Sequence, residues 1–402
     1  MWPESTEEEE NAMPKRSAVL FLLDDTRRTG CETPLMLQRV RGVPLLSWLT
    51  HALGRSGVDR FFLACSPSLL QQAKACFPAG AELTAASDEN PADQLHVFLS
   101  TAEETEEAVL AVTGPAVYAP FHREANGPRA NACMVNRQAL MGALDQAIPI
   151  GRFLRRVGEP ATAEEGFYAL SGPEDLPRLG RLLNRDRLLE LALAGVEIWD
   201  PDNCYVDPAA SVGYGSVLLP GTVLQGKTLV GRDCTIGPNT RIIDSTLGNR
   251  CVVEQSKLEG CRLGNQLQVG PFAHLRPGTV LEDGAKAGAF VELKNTNVGP
   301  GAQVPHLSYL GDAAVGARAN VGCGTVTANF DRVEKHFTVV EEGAFLGCNS
   351  TLVAPVNVGR GAYVGAGTVV TEDVPPNALA ISRPREQIRK DWALKNKRPV
   401  EE

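Results

Sequence analysis

Through the second half of the chain an apolar residue returns every six positions, at Val206, Val212, Leu218, Leu224, Val230, Ile236 and Ile242. Neither an α-helix nor a strand has that period. The rhythm then slips, continues unevenly through Leu247, Leu258, Leu263, Val269, Leu275 and Leu281, and regains its register at Val315 and Val321. It is clearest again at Val340, Leu346, Leu352, Val358, Val364 and Val370. A glycine often comes next, as in Val212-Gly213, Ile236-Gly237 and Val364-Gly365. A short strand, a turn that demands a small residue and another short strand, stacked coil on coil, is a parallel β-helix. At three hexapeptides per coil, the run from about 205 to 375 makes on the order of nine coils. A β-sandwich would instead alternate with period two between hairpin turns.

The first half reads differently. From Ala18, apolar strands alternate with amphipathic stretches: AVLFLL, VPLLSWLTHAL, RFFLACS, LLQQAKACF and AVLAVTG. That order predicts a parallel α/β sheet. The stretch DLPRLGRLLNRDRLLELALA, from Asp175 to Ala194, places leucines at helical spacing with mixed charge on the other face. It predicts a helix joining two domains, the number that 402 residues suggest. The expected partition is an acidic tail over 1–16, an α/β domain over 17–174, a linker helix over 175–197, the β-helix over 198–375 and a C-terminal tail over 376–402.

Composition narrows the function. A formal charge of -9 gives no long-range attraction for nucleic acid or anionic membrane, so an anionic substrate must be held by clustered cations. The ten cysteines contain no C-x-x-C pair, which argues against zinc and against a disulfide framework and suits a reduced, cytoplasmic protein. No charged-then-apolar leader opens the chain and no apolar run is long enough for a membrane span. MWPESTEEEENAMPK concentrates acid with nothing to pack and reads as a solvated tail, with Met13 a second candidate for the initiator.

The segments VGPFAHLRPG (269–278), FVELKN (290–295), HLSYLGDAAVG (306–316), NVGCGT (320–325), ANFD (328–331), LVAPVNVG (352–359) and ALAISR (378–383) add specificity that a six-residue repeat lacks. Together they closely resemble the acetyltransferase half of the bacterial bifunctional glucosamine-1-phosphate N-acetyltransferase / N-acetylglucosamine-1-phosphate uridylyltransferase family. The resemblance implies a left-handed β-helix, a homotrimer with active sites between subunits, and acetyl transfer from acetyl-CoA to the amine of glucosamine 1-phosphate. The product, N-acetylglucosamine 1-phosphate, would serve UDP-N-acetylglucosamine and cell-wall precursor synthesis. His306 matches the catalytic base, and imidazole suits removal of an ammonium proton near neutrality. Arg276, Lys294 and Lys335 match the phosphate clamp, and Tyr309 and Asn320 the sugar contacts. Cys323, Asn329, Phe330, Cys348, Ala366 and Arg383 match the acetyl-CoA groove. Three of these depart from the pattern: Cys323 stands for alanine, Phe330 for tyrosine and Cys348 for serine. No metal is expected at this site. Zinc-dependent hydration on the same fold would need three converging histidines, whereas His274, His306 and His336 stand in separate segments.

The front domain resembles the family's nucleotidyltransferase (Rossmann-like) α/β domain only weakly. There the family carries a glycine-rich loop, L-x-x-G-x-G-T-R-M, then Pro-Lys, and binds UTP with magnesium. This chain reads LLDDTRRTGCETPLMLQ from Leu22, without the loop glycines, and Leu35 follows Pro34 in place of lysine. Asp24 or Asp25 would bring a carboxylate toward a triphosphate. The family's metal-holding Gly-Asp-x-Pro-Leu is replaced by Thr113-Gly114-Pro115-Ala116-Val117, with no acid. The expectation is a domain that keeps the fold and has lost uridylyl transfer; the alternative is a bifunctional enzyme that still uridylylates N-acetylglucosamine 1-phosphate with UTP and magnesium.

Overall fold

The computed structural model describes residues 16–87, 91–122, 130–161, 165–382 and 385–395, and the chain divides into two compact units, Met1–Leu229 and Val230–Glu402. Residues 1–15 of the expected acidic tail lie outside the described residues, as does Arg383.

In the first unit the strands Arg16–Phe21, Val58–Ala64, Glu82–Ala86 and Ala108–Val112 pair in parallel, as their apolar runs predict. Side-chain alternation sends Ala18 and Leu20 to a core with Trp48, Leu49 and Leu53 of the helix Leu45–Arg55. Val19 goes to the opposite core with Phe98, Leu99 and Leu140. The sheet is mixed rather than wholly parallel: Ala132–Asn136 runs antiparallel to Ala108–Val112, and Glu159–Pro160 antiparallel to Ala132–Asn136. Among the described residues no helix stands between Val112 and Ala132. Parallel pairing of consecutive strands needs such a crossover.

The expected joining helix is Leu176–Leu193, with Leu179, Leu182 and Leu183 in the front core. Part of the face of mixed charge is buried, Asn184 and Arg187 under the first β-helical turns and Asp186 against the segment that carries Phe121. Asn184 Nδ2 donates to the Cys204 carbonyl at 2.9 Å and Arg187 Nη2 to that of Ala210 at 2.6 Å. The Phe121 N–H donates to Asp186 Oδ1 at 2.7 Å. Burial pushes the Asp186 carboxyl up to about 6, against the pull of that hydrogen bond. The folded chain therefore binds the extra proton between about pH 4 and 6, so this group's contribution to stability falls as pH rises through that window. Asp186→Asn keeps an acceptor for Phe121 and removes the charge. It is expected to raise the unfolding free energy at pH 7 by about 1–3 kcal/mol, with the gain vanishing near pH 4 in denaturant titrations.

The second unit is a left-handed parallel β-helix, its strands mostly two or three residues long. The slip in the six-residue rhythm is a change of coil length. Ile242 pairs with Leu258, and Leu247 with Leu263, sixteen residues on, whereas Leu263 pairs with Leu281 and Val340 with Val358, eighteen on. Val315 pairs with Val340, twenty-five on, because residues 329–337 bulge from that coil. At each change the slack is taken up at a corner and the apolar residues stay inside. Small hydroxylated residues fill one buried corner and satisfy themselves locally: Thr325 Oγ1 donates to the Gly322 carbonyl at 2.7 Å and Ser350 Oγ to that of Gly347 at 2.6 Å. Among the described residues no helix is long and apolar enough to cross a membrane.

Candidate functional site

Two neighbouring corners of the β-helix carry the chemistry. At the first, a backbone ladder runs from coil to coil: Leu307 N–H to the Ala289 carbonyl (2.8 Å), Gly324 to Leu307 (3.0 Å), Asn349 to Cys323 (2.7 Å) and Gly367 to Cys348 (2.8 Å). The flanking strand pairs Gln303–Asn320, Tyr309–Val326, Asn320–Phe345 and Phe345–Tyr363 then place His306, Cys323, Cys348 and Ala366 at equivalent positions in four successive coils. With about 4.8 Å between neighbouring strands, the column is about 14 Å long with His306 at its head. His306 and Cys348 are exposed and Cys323 is half-buried. The turn into His306 needs Gly288 in the coil before, because a Cβ there would collide with the Pro305 carbonyl. Ser308 Oγ, buried, donates to the His306 carbonyl at 2.8 Å and fixes the far side of the turn. Asn320 opens the short strand Asn320–Val321 that leads into Cys323.

At the next corner Lys294 stands in register with Gly311, and the Arg276 N–H donates to the Leu293 carbonyl at 2.8 Å, one coil earlier. Arg276 Nη1 pairs with Glu292 Oε1 at 3.0 Å. Lys335 arrives on the bulge, a hairpin closed by a Phe330–Lys335 bridge. Asp331 Oδ1 accepts from the N–H groups of Val333 and Glu334, each at 2.8 Å, and Oδ2 lies 2.7 Å from His336 Nε2. The His336 hydrogen bond holds the Asp331 carboxyl well below the ordinary carboxylate range and raises the imidazole in return. Lys294 sits below its ordinary value chiefly because Lys335 lies beside it, with Arg276 adding to the effect. The three cations assigned separately in the sequence therefore converge.

Between them lies Asp312, which the sequence reading did not single out. Its carboxylate accepts from Asn295 Nδ2 at 2.8 Å and from Asn329 Nδ2. Burial pushes this carboxyl up, but the two amides with Lys335 and Lys294 outweigh it and hold it below its ordinary value. Asn295 and Asp312 have φ of 48° and 49°, a left-handed turn conformation that Asn and Asp tolerate. Asn and Asp at that corner were the available signal. Asn329, assigned with the acetyl-CoA residues, stands in this amide ladder beside the cations rather than in the Cys323 column. Phe330, assigned likewise, projects from the bulge, 59% exposed. Tyr309 lies on the face between the two corners, and a Cβ on Gly311 would strike its hydroxyl and the Asn329 amide. His306 and Gly311 are five residues apart, up to about 17 Å of extended chain. That face offers a proton acceptor at one end, paired cations at the other and a phenol between.

Among the described residues, the side chains that converge as potential metal ligands are Asp331, Glu334 and His336. The Asp331 and His336 groups already close the hairpin. His274 and His306 are not in this group.

In the front domain a cavity of about 670 Å³ opens beyond the ends of Arg16–Phe21 and Ala108–Val112, at the point where the strand order reverses. Phe21, Leu23, Ile150, Leu154, Thr113, Asn131 and Arg155 are among its lining residues, and among the described residues that line it there is no carboxylate, so these do not fit a magnesium ion. Asp25 is turned inward, accepting from the Leu35 N–H at 3.0 Å and pairing with Arg28 at 3.2 Å. Asp24 accepts from the Thr26 hydroxyl at 2.6 Å.

No family model matches the chain. It is 44% identical to the bifunctional protein GlmU of Carboxydothermus hydrogenoformans over 251 residues, 62% of this chain and 56% of the relative. GlmU of Caldanaerobacter subterraneus is 50% identical over 198 residues, 49% of this chain and 43% of the relative. Among solved structures, a Francisella novicida UDP-N-acetylglucosamine acyltransferase gives 14% identity and a TM-score of 0.29 over 45% of this chain and 65% of that one. A likeness at that score carries no argument. The chain spans about half the length of the curated relatives it matches, and over the matched stretch it is GlmU-like.

Proposed function

We propose that this chain transfers the acetyl group of acetyl-CoA to the amine of glucosamine 1-phosphate. The convergence of Lys294, Lys335 and Arg276 at one end of a face whose other end carries His306 supports this reading most strongly. An aminosugar phosphate laid along the face puts its phosphate among the cations and its amine at His306, with Tyr309 and Asn320 orienting the ring. His306 takes the proton as the amine nitrogen attacks the thioester carbonyl. The C–S bond of the tetrahedral intermediate then breaks, the thiolate takes a proton, and N-acetylglucosamine 1-phosphate and CoA leave. Acetyl-CoA would run down the column of Cys323, Cys348 and Ala366, with Asn329, Phe330 and Arg383 the further residues that the resemblance assigns to it.

A homotrimer belongs to the same proposal, since a face open on one side needs a second copy as its opposite wall. Phe272, Phe290 and Leu307, 52%, 59% and 59% exposed, form an apolar spine beside the His306 column, and the two phenyl rings stack at 5.2 Å. All three have positive φ, at 60°, 58° and 38°, a strained conformation for bulky side chains. Strain of that kind persists at surfaces where it does something, and covering by a second copy is such a use. A cytoplasmic location goes with these substrates.

The test is thiol release from acetyl-CoA by the full chain. Release should require glucosamine 1-phosphate, need no added metal and fall in specific activity on dilution below the trimer's dissociation range. Lys335→Ala should raise KM for the sugar phosphate by about 10- to 100-fold, the worth of a charge-assisted hydrogen bond. Equal use of unphosphorylated glucosamine would remove the cation cluster from its role.

A further inference from the structure

The His306 column carries two thiols in consecutive coils, Cys323 and Cys348, the first half-buried and the second exposed. We propose that they form a redox pair whose disulfide closes the acyl-CoA groove; the closing part rests on the function proposed above.

The register sets the distance. Because the Asn349 N–H donates to the Cys323 carbonyl, the two cysteines are stacked neighbours, with Cα atoms about 4.8 Å apart. That lies within the span of about 4.4–6.8 Å that disulfides bridge. Their Cβ atoms, held parallel in equivalent turns, have about the same separation, beyond the usual disulfide range of about 3.5–4.5 Å. Closing the bond therefore draws two coils together by up to about 1 Å and stores strain. Strained, exposed disulfides have higher reduction potentials and open readily, the property of a labile bond rather than a structural one. A second stacked pair makes the contrast: the Cys251 N–H donates to Cys234 Sγ at 3.4 Å, but both thiols are fully buried and out of reach of an external disulfide.

With oxidised glutathione as oxidant the step balances. The Cys348 thiolate attacks one glutathione sulfur, forming a mixed disulfide and expelling glutathione thiolate. The Cys323 thiolate then attacks the Cys348 sulfur, expelling the second glutathione. Two protein thiols lose two electrons to the glutathione disulfide, and their protons finish on the two glutathione thiols. The cystine lies across the path assigned to the acyl-CoA and shifts the coil next to His306.

The full chain should be equilibrated in oxidised and reduced glutathione mixtures, alkylated, digested and analysed by mass. The expected result is a Cys323–Cys348 cross-linked peptide, with Cys234 and Cys251 unmodified until the protein is unfolded. Acetyl transfer should fall about 10²-fold, the cost of a misplacement near 1 Å, and return with dithiothreitol. Cys348→Ser should show no fall relative to its own reduced rate. If both thiols stay alkylatable in oxidised glutathione, the pair is overturned. If the cross-link forms and acetyl-CoA titrates as before, the closing role is overturned. A reduced protein that binds no acetyl-CoA would overturn the underlying function and the closing role with it, while the cross-link is still read by mass.

Discussion

His306→Ala is expected to lower acetyl transfer about 10²- to 10⁴-fold, the contribution of a positioned general base. On the proposed function the amine of glucosamine 1-phosphate must lose a proton as it attacks, and in this geometry the group at that end of the face is the exposed imidazole heading the column. The loss should appear in kcat. The cations proposed to hold the phosphate stand at the other end of the face and are different side chains, so KM for the sugar should change little. Lys335→Ala should show the converse split. The backbone at His306 is set by Gly288 and Ser308 rather than by the imidazole, so the alanine variant should keep its fold and its acetyl-CoA affinity. Steady-state kinetics with both substrates varied reads all of these quantities. A loss of less than tenfold would take the base away from His306.

Incubated with UTP, magnesium and N-acetylglucosamine 1-phosphate, the full chain is expected to release no pyrophosphate. The sequence suggested that Asp24 or Asp25 would repel the triphosphate; the expectation now rests on the metal instead. Asp25 is folded inward, and the described residues lining the crevice where the strand order reverses include no carboxylate to hold the metal that neutralises a leaving pyrophosphate. The position after Pro34 is no better placed. Leu35 is fully buried in the front core and its N–H is bound to Asp25, so Leu35→Lys would put an ammonium among apolar side chains and destabilise the domain before it met a phosphate. Restoring one residue should therefore fail. Pyrophosphate release at an ordinary enzymatic rate, about 1–10³ s⁻¹, would overturn this and make the protein bifunctional.

What was legible in the sequence follows from which contacts are local. Each hexapeptide of the β-helix turns one apolar side chain inward, so Leu218, Leu224, Ile236 and Ile242 announce the fold through a spacing of six, and all four are fully buried. The front strands are equally readable, because alternate residues of Arg16–Phe21 meet different cores. His306, Arg276, Lys294 and Lys335 could be named from their segments because the family motif is a string of local sequence. Their grouping could not, since it depends on coil length. His306, Cys323, Cys348 and Ala366 are seventeen, twenty-five and eighteen residues apart, and only the register of the flanking strands reveals that they share one corner. The bulge that makes one coil long also carries Lys335 back to Lys294 and Asn329 to Asp312, contacts with no signature at any fixed spacing. Asp186 is the same lesson in the first unit. On the helix alone it reads as a solvated acid, and only the packing of other segments over that face leaves it buried and pushed up to about 6. Periodicity reports where a side chain points relative to its own element, while the neighbours it meets there are set by closure of the whole chain.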